Sequence, residues 1–417
     1  MKTLNQYLLE QSCNFRCGIS LPFKRVPTNF SDISQVYNYS VPKDVGNSWK
    51  TASGSINFDE NKAIMGAIGE SLERYCGAVC QFDILPFSKL SKEKVINYDE
   101  FSLFSNRQYD DPDFLWLKPD SKKQYFGKVH SLYNNKEFYV PQELIGLGSR
   151  NENATIPSTS TGIAAHSNKI ETIFSALLEL LERDALTTYW LNSLGGREIT
   201  LDEKYTKEVK EKKGQVFCFD ISQDWNPFAV VIVCGYLLEN NKKRISMGVA
   251  CRENYKKAIE KAYLEWIQGC IFTGYYTEFH QGINLEKISD INSFDLHAIY
   301  YTLFPEKWND VPIVKNRAPY KFNEINHDLE NSETSHKLSF LLKKLQKEKI
   351  RLFYKELTTV DVKDVGVSVV RVLSPELSLI HGDENIPFLG GRTKDIEWRY
   401  KGLKKGVFPN VYPHPLG

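Results

Sequence analysis

"AIGESLER" (Ala67–Arg74) and "ALLELLER" (Ala176–Arg183) are the two stretches whose reading decides this chain. Five of their eight positions are identical, and Glu70, Glu73 and Arg74 correspond to Glu179, Glu182 and Arg183 at one constant offset. Glu70–Arg74 and Glu179–Arg183 are i,i+4 pairs, which as surface ion pairs contribute about 0.2–0.5 kcal/mol each. The flanks oppose that simple reading. From Ala63 to Val79 the charged residues are Glu70, Glu73 and Arg74, and from Ile173 to Leu186 they are Glu179, Glu182, Arg183 and Asp184. Helices so apolar on their other positions are buried helices, yet each carries two carboxylates on one face.

Unpaired carboxylates are costly to bury, and the two arginines cannot neutralise the four glutamates. The remaining charge asks for a cation. If the helices face each other, the carboxylates form one oxygen-only cage. Zinc and iron sites add His or Cys, and a di-iron bundle shows Glu-x-x-His, whereas here the i+3 residue is again Glu. All-carboxylate ligation suits Ca²⁺ or Mg²⁺, and Mg²⁺ completes its shell with water and substrate phosphates. The pattern therefore points to a nucleotide. No GxxxxGK[ST] or GxGxxG loop is present. The small-residue stretches "TASGS" (51–55) and "STSTG" (158–162) stand before the two helices instead. Their N–H groups and hydroxyls, Ser160 among them, are candidates for holding phosphate.

The rest of the chain sets the frame. With 417 residues and a net charge of +1 it has no basic surplus for nucleic acid, and no apolar run long enough to span a membrane. A cytoplasmic location follows from the absence of a signal core. Cys13/Cys17 and Cys76/Cys80 each make C-x3-C, but isolated cysteines are more often buried apolar residues than zinc ligands. Helices are predicted over about 61–79, 170–192, 254–272 and 337–349. Strands are predicted at 114–117, 128–132, 136–141, 215–222, 228–237, 245–250, 350–357 and 365–373. Residues 280–335 are polar and poorly patterned and read as a surface insertion. Strands and helices interleave, so the class is α/β (α+β). No linker cuts the chain, which reads as one domain over 1–417: an N-terminal segment (1–60) and a catalytic core (61–417) ending in a Pro-rich tail.

The paired ExxER helices resemble the YcaO superfamily. The resemblance continues in family order through "KEFYVPQELI", "FCFDIS", "AIEKAYLEWIQG", "YKELTTVDV" and "VVRVLSPEL" to the Pro-rich end. It implies ATP between the two helices, with Mg²⁺ held by Glu70, Glu73, Glu179 and Glu182. It also implies Arg183 on the phosphates and Glu171 on the nucleotide, with Gln268 and Glu265 lining the site. Arg74 contacts nucleotide or braces the first helix. The implied activity is ATP-dependent activation of a peptide backbone amide, whose oxygen is phosphorylated and leaves as phosphate. The tail Pro413-His414-Pro415-Leu416-Gly417 is close to the PxPxP of the azoline-forming branch, with Gly417 in the third place. That match makes Pro413, Pro415 and the Gly417 carboxylate candidate catalytic elements of a cyclodehydratase making thiazolines or oxazolines. A thioamide synthetase, an inactive scaffold subunit and a glutamine-synthetase-like ligase are the competing readings.

This chain departs from the family pattern at three places. His166-Ser167-Asn168 stands where Gly-Asn-Thr is expected. Gly269-Cys270 stands where an arginine is expected, and Ser55 where many members carry lysine. The match leaves no room for a fused leader-recognition domain. The implied partners are therefore a precursor peptide, a separate ubiquitin-activating-enzyme-like protein that binds its leader, and a flavin dehydrogenase if azoles are the product. A homodimer or hetero-oligomeric complex is expected.

Overall fold

The computed structural model describes residues 9–13, 18–28, 30, 32–39, 52–114, 116–148, 156–322 and 329–417. In chain order, strands β1 (Lys24–Val26), β2 (Ser34–Tyr39) and β3 (Ala52–Asn57) precede helix α1 (Glu60–Val79). Strands β4 (Ile84–Pro86), β5 (Tyr125–Ser131), β6 (Glu137–Pro141) and β7 (Ile163–His166) lead to helix α2 (Lys169–Leu191). Then come β8 (Arg197–Ile199), α3 (Glu203–Glu211), β9 (Gln215–Asp220), β10 (Ala229–Glu239), β11 (Lys242–Arg252), α4 (Tyr255–Phe279), α5 (Phe294–Leu303) and β12 (Ala318–Pro319). Helix α6 (Thr334–Lys347) and strands β13 (Phe353–Glu356) and β14 (Ser368–Leu373) follow, and short helical turns fill several of the connections. Mixed helices and sheets match the α/β (α+β) expectation. Among the described residues no helix is long and apolar enough to cross a membrane.

The chain divides into two compact units, residues 1–180 with 333–377 and residues 181–332 with 378–417. The division falls inside α2. Unit one holds an antiparallel sheet in the order β1-β2-β3, and a larger sheet in the order β4-β5-β13-β14-β7 with β6 on β5. Helix α1 buries Ala63, Ile64, Ala67, Ile68, Ser71, Leu72 and Cys76 along one face. That stripe recurs at helical spacing and leaves Glu70, Glu73 and Arg74 half-buried at its margins. Asp59 caps the helix by accepting from the Asn61 N–H.

Unit two is built on a sheet in the order β11-β10-β9-β8-β12. The β10–β11 hairpin pairs all eleven residues of each strand, from Ala229↔Arg252 to Glu239↔Lys242. Its two-residue turn, Asn240–Asn241, has φ of 50° and 59°, the backbone that a tight hairpin needs and Asn tolerates. Helix α4 turns Ala258, Ala262, Trp266, Ile267 and Cys270 inward.

Several sequence expectations need correction. "TASGS" is not a loop: residues 52–55 belong to β3, paired with β2, and Thr51 lies outside the described residues. Small residues are needed there for packing, because a Cβ on Gly66 of α1 would stand 2.3 Å from Ser55 Oγ. No strand forms at 114–117 among the described residues, which exclude Leu115. Residues 280–335 are not a surface insertion. Helix α5 lies within them with Ile299 and Tyr301 fully buried, and Trp308 and Val311 are buried beyond it. The apolar residues of this stretch are spread over short elements, which hides their periodicity. Between "STSTG" and α2 the chain forms β7 rather than running directly into the helix.

Gly162 ends that loop with φ of 84°, and a Cβ there would stand 2.4 Å from the Val372 carbonyl oxygen. Both the backbone conformation and the space demand glycine. Gly162→Ala is therefore expected to lower the unfolding free energy by about 2 kcal/mol or more, read as a reduced denaturant midpoint. An unchanged midpoint would show that the loop adopts another conformation.

Candidate active site

In unit one, α1 and the first half of α2 bring three carboxylates into one charge cluster. Glu70 accepts from the Gly54 N–H at 3.0 Å and from Arg74 Nη2 at 3.2 Å. Arg74 Nη1 also reaches Glu73 Oε1 at 3.3 Å, so one guanidinium bridges both glutamates of the first motif. Burial raises the Glu73 carboxyl well above the ordinary value of 4.5; Arg74 and Arg371 oppose this, while Glu179 and Glu70 add to it. Arg371 on β14 is 1% exposed and feels Glu179 and Glu73. Glu70, Glu73 and Glu179 thus lie within electrostatic reach of one another and of Arg74 and Arg371.

The sequence argument did not find Arg371. Its signal is present, a single cation in the otherwise apolar run "VVRV". Arg371 donates through Nη1 to the Thr159 carbonyl at 2.5 Å. Ser160 is half-buried in the same loop, and its carbonyl accepts from the Ile163 N–H at 3.0 Å. Glu171 sits in the first turn of α2. It receives bonds from Ser167 Oγ at 3.1 Å and Asn168 Nδ2 at 2.7 Å, while Asn168 Oδ1 accepts the Glu171 N–H. His166-Ser167-Asn168, a departure from the family pattern, thus sets the start of α2, where the Asn168 side chain caps the Glu171 N–H.

Unit two carries the second half of the α2 motif. Glu182 is 6% exposed and accepts from the Cys251 N–H at 3.1 Å. Arg183 Nη2 lies 3.5 Å from it. Next to them, Asp184 is clamped by Arg399 at 2.7 and 3.0 Å, by the Ser378 N–H at 2.7 Å and by Gln223 at 3.0 Å. Glu265 on α4 pairs with Lys261 at 2.9 Å. Burial pushes the Glu265 carboxyl up, but Lys261, Arg183 and Arg252 outweigh it and hold it below 4.5. Gln268 is half-buried one turn further along α4. Gly269 has no room for a side chain, since its Cβ would stand 1.9 Å from Ser246 Oγ, and Cys270 is buried.

The tail is packed into unit two. Pro413, His414, Pro415 and Leu416 are buried, and Gly417 is exposed. Trp190 Nε1 donates to the Tyr412 carbonyl at 2.7 Å, and Tyr301 Oη to the Pro413 carbonyl at 2.8 Å. His297 Nδ1 meets the His414 carbonyl at 3.0 Å, and His414 Nε2 meets the His381 carbonyl at 3.0 Å. Carbonyl acceptors require both nitrogens to carry protons. The His297 and His414 rings stack at 4.1 Å. Sequence reasoning missed His297, Tyr301 and His381, which lie in segments with no recognisable motif.

Carboxylate oxygens are the donors that Mg²⁺ takes, and it needs few of them from a protein. Among the described residues no three His, Cys, Asp or Glu side chains form a ready-made metal cage. The described cysteines, including Cys13, Cys76 and Cys80, are buried free thiols, and Cys17 lies outside the described residues.

The profile of the YcaO family, described as YcaO cyclodehydratase, ATP- and Mg²⁺-binding, matches residues 57–378. Curated protein sequences gave no match. A structure described as a heterocyclase in complex with substrate and cofactor is similar with a TM-score of 0.74 and 16% identity, over 99% of this chain and 57% of that one. The chain thus spans little more than half the length of that heterocyclase. YcaO from Methanopyrus kandleri, bound with AMPPCP and Mg²⁺, gives a TM-score of 0.62 at 14% identity, over 89% of this chain and 88% of that one. The E. coli microcin synthetase McbBCD complex with pro-MccB17 bound gives 0.60 at 17% identity, over 85% of this chain and 88% of that one. At these identities the likeness is one of fold.

The tail seat carries a pH dependence. Burial, with His381 and Arg183, lowers His414 from 6.5 to about 4, against the opposing effect of the His381 carbonyl and Glu384. Burial likewise holds His297 well below 6.5, helped by His414 and His381. A depressed histidine stabilises the folded state above its unfolded pKa and loses that contribution as pH falls through the folded one. The seat should therefore weaken between pH 6.5 and about 4. In histidine-ring NMR the His414 signal is expected to titrate near 4; a midpoint near 6.5 would contradict the buried tail.

Proposed function

The chain belongs to the YcaO family, and from that membership and its carboxylate cluster we propose that it is an ATP-dependent peptide cyclodehydratase. The observation that carries the reading is the cluster of Glu70, Glu73 and Glu179, three carboxylates brought together beside Arg74 and Arg371. Glu182 continues it by one turn along α2. These four glutamates would hold Mg²⁺, which when bound neutralises phosphate charge and orients the transferred phosphoryl group. Arg183 is the candidate phosphate contact, with Arg74 fixing the first motif. Ser160, Glu171 and Gln268 are candidates for binding the nucleotide. The M. kandleri relative bound with AMPPCP and Mg²⁺ supports this use of the fold.

The proposed substrate is a backbone amide of a ribosomal precursor peptide. A Cys, Ser or Thr side chain gives up its S–H or O–H proton to the proton-transfer group and attacks the preceding carbonyl carbon, forming the new C–S or C–O bond and placing negative charge on the former carbonyl oxygen. That oxygen takes the γ-phosphoryl group of ATP. Expulsion of phosphate breaks the C–O bond, and loss of the amide proton leaves the C=N of a thiazoline or oxazoline. The products are ADP, phosphate and a peptide lighter by one water per ring. The protein needs no covalent nucleophile for this; it positions the reactants and balances charge. The docked tail supports the ring-forming branch, and the Gly417 carboxylate is the proposed proton-transfer group, with Pro413 and Pro415 setting its path. The pro-MccB17-bound synthetase supports a peptide substrate and work within a complex. A separate leader-binding protein is the proposed partner, with a flavin dehydrogenase where azoles are made.

Reconstitution with the neighbouring gene products and a Cys-rich precursor, read by mass spectrometry, tests the reading. Loss of one water per modified residue is expected, whereas exchange of oxygen for sulfur would identify thioamide formation. Glu70→Ala and Glu179→Ala should each reduce ATP-dependent turnover at least a hundredfold, as befits lost charge neutralisation at phosphate, roughly 3 kcal/mol. Full turnover in either variant would refute the magnesium assignment. Removing residues 413–417 should abolish ring formation while nucleotide binding stays near normal, checked on protein whose circular dichroism is unchanged.

A further inference from the structure

Arg371 is a buried cation that the reading above leaves without a part in the reaction. It stands on β14 opposite Ile163 of β7, the residue after Gly162. Its Nη1 holds the Thr159 carbonyl at 2.5 Å, and Nη2 lies 3.4 Å from Thr159 Oγ1. The neighbouring Val372 N–H donates to the Gly162 carbonyl at 2.7 Å. Two successive residues of β14 therefore grip both ends of the stretch Thr159–Gly162. Burial lowers the guanidinium to about 10, against the pull of Glu179 and Glu73, so it is charged at neutral pH.

We propose that Arg371 is a positioning residue for the nucleotide site, tying the Thr159 carbonyl of the hydroxyl-rich loop to the Glu73–Glu179 pair and so fixing the loop beside the carboxylates. The inference rests on the reading of that cluster as the Mg–ATP site. It separates Arg371 from a plain counter-ion. A counter-ion lost from the cluster would leave more negative charge, so Mg²⁺ would bind as well or better and the nucleotide would be little affected. A loop-positioning residue lost would weaken nucleotide binding even though the cluster had become more negative.

Arg371→Met, close in volume and uncharged, and Arg371→Lys, which keeps the charge but replaces the guanidinium fork with one point donor, are compared for circular dichroism, KM for ATP, kcat and amide exchange at 159–162. Arg371→Met is expected to raise KM for ATP roughly ten- to hundredfold, the effect of one charge-assisted hydrogen bond, with kcat changed far less and exchange at 159–162 accelerated. Arg371→Lys is expected to fall between Met and wild type on both readouts. An unchanged KM in whichever variant folds overturns the proposal. Glu179→Ala run in parallel separates the two levels. If it retains binding of a non-hydrolysable ATP analogue with Mg²⁺, the nucleotide reading itself fails. If it loses binding while the Arg371 variants keep their KM, the positioning role alone fails.

Discussion

A carboxylate on a buried helix must face a cation or lose its charge, and α2 poses that problem repeatedly. Glu179 is answered by Arg371, Asp184 by a two-point clamp from Arg399, and Glu182 by Arg183 and a backbone N–H. Each solution draws on a distant part of the chain, so the charges on one helix dictate which strands and loops pack around it. Asp184 is the fully satisfied case: Arg399, Ser378 and Gln223 use its oxygens, and both ion-pair partners are 0% exposed. Removing one member of such a pair costs about 3–5 kcal/mol. Asp184 therefore acts as an anchor.

The same helix also carries the tail. Two turns beyond Glu182, Trp190 donates to the Tyr412 carbonyl, and the Leu191 and Trp190 carbonyls accept from Asn410. Helix α5 completes the seat through His297 and Tyr301. A Pro-rich segment lacks several backbone donors and cannot join a sheet. Its carbonyls are instead met by side-chain donors, each from a residue with one ring to bury and one N–H or O–H to give. The tail is thereby held as a fixed element of unit two.

Much of this was legible in the sequence where one residue type did one job. The apolar flanks of the ExxER motifs marked helices at 60–79 and 169–191 to within a residue or two. The apolar runs at 228–237 and 245–250 marked the central hairpin, although the strands extend further at their charged ends. The errors arose where one residue type serves two purposes. "TASGS" has the composition of a turn, but its small side chains serve the close approach of α1 to β3, which no local pattern reveals. Residues 280–335 bury Tyr300, Tyr301 and Trp308 from short, broken elements, so neither helical nor strand periodicity accumulates. Arg371 was overlooked because the carboxylates that act on it, Glu73 and Glu179, are far away in sequence.

The departures from the family pattern have the same kind of explanation. An arginine at 269 would require Ser246 to move, since a Cβ on Gly269 would stand 1.9 Å from Ser246 Oγ. At 270 it would have to displace a buried thiol that donates to the Arg244 carbonyl at 3.2 Å. The need for positive charge near Glu265 does not vanish with it. Lys261 one turn earlier on α4, Arg252 at the end of β11 and Arg183 on α2 all act on that carboxylate strongly enough to overcome its burial. Charge balance at a buried site constrains the sum of the charges that face it, and leaves free the sequence positions that supply them. A missing motif residue is therefore weak evidence of a lost site when other cations already face the same carboxylate.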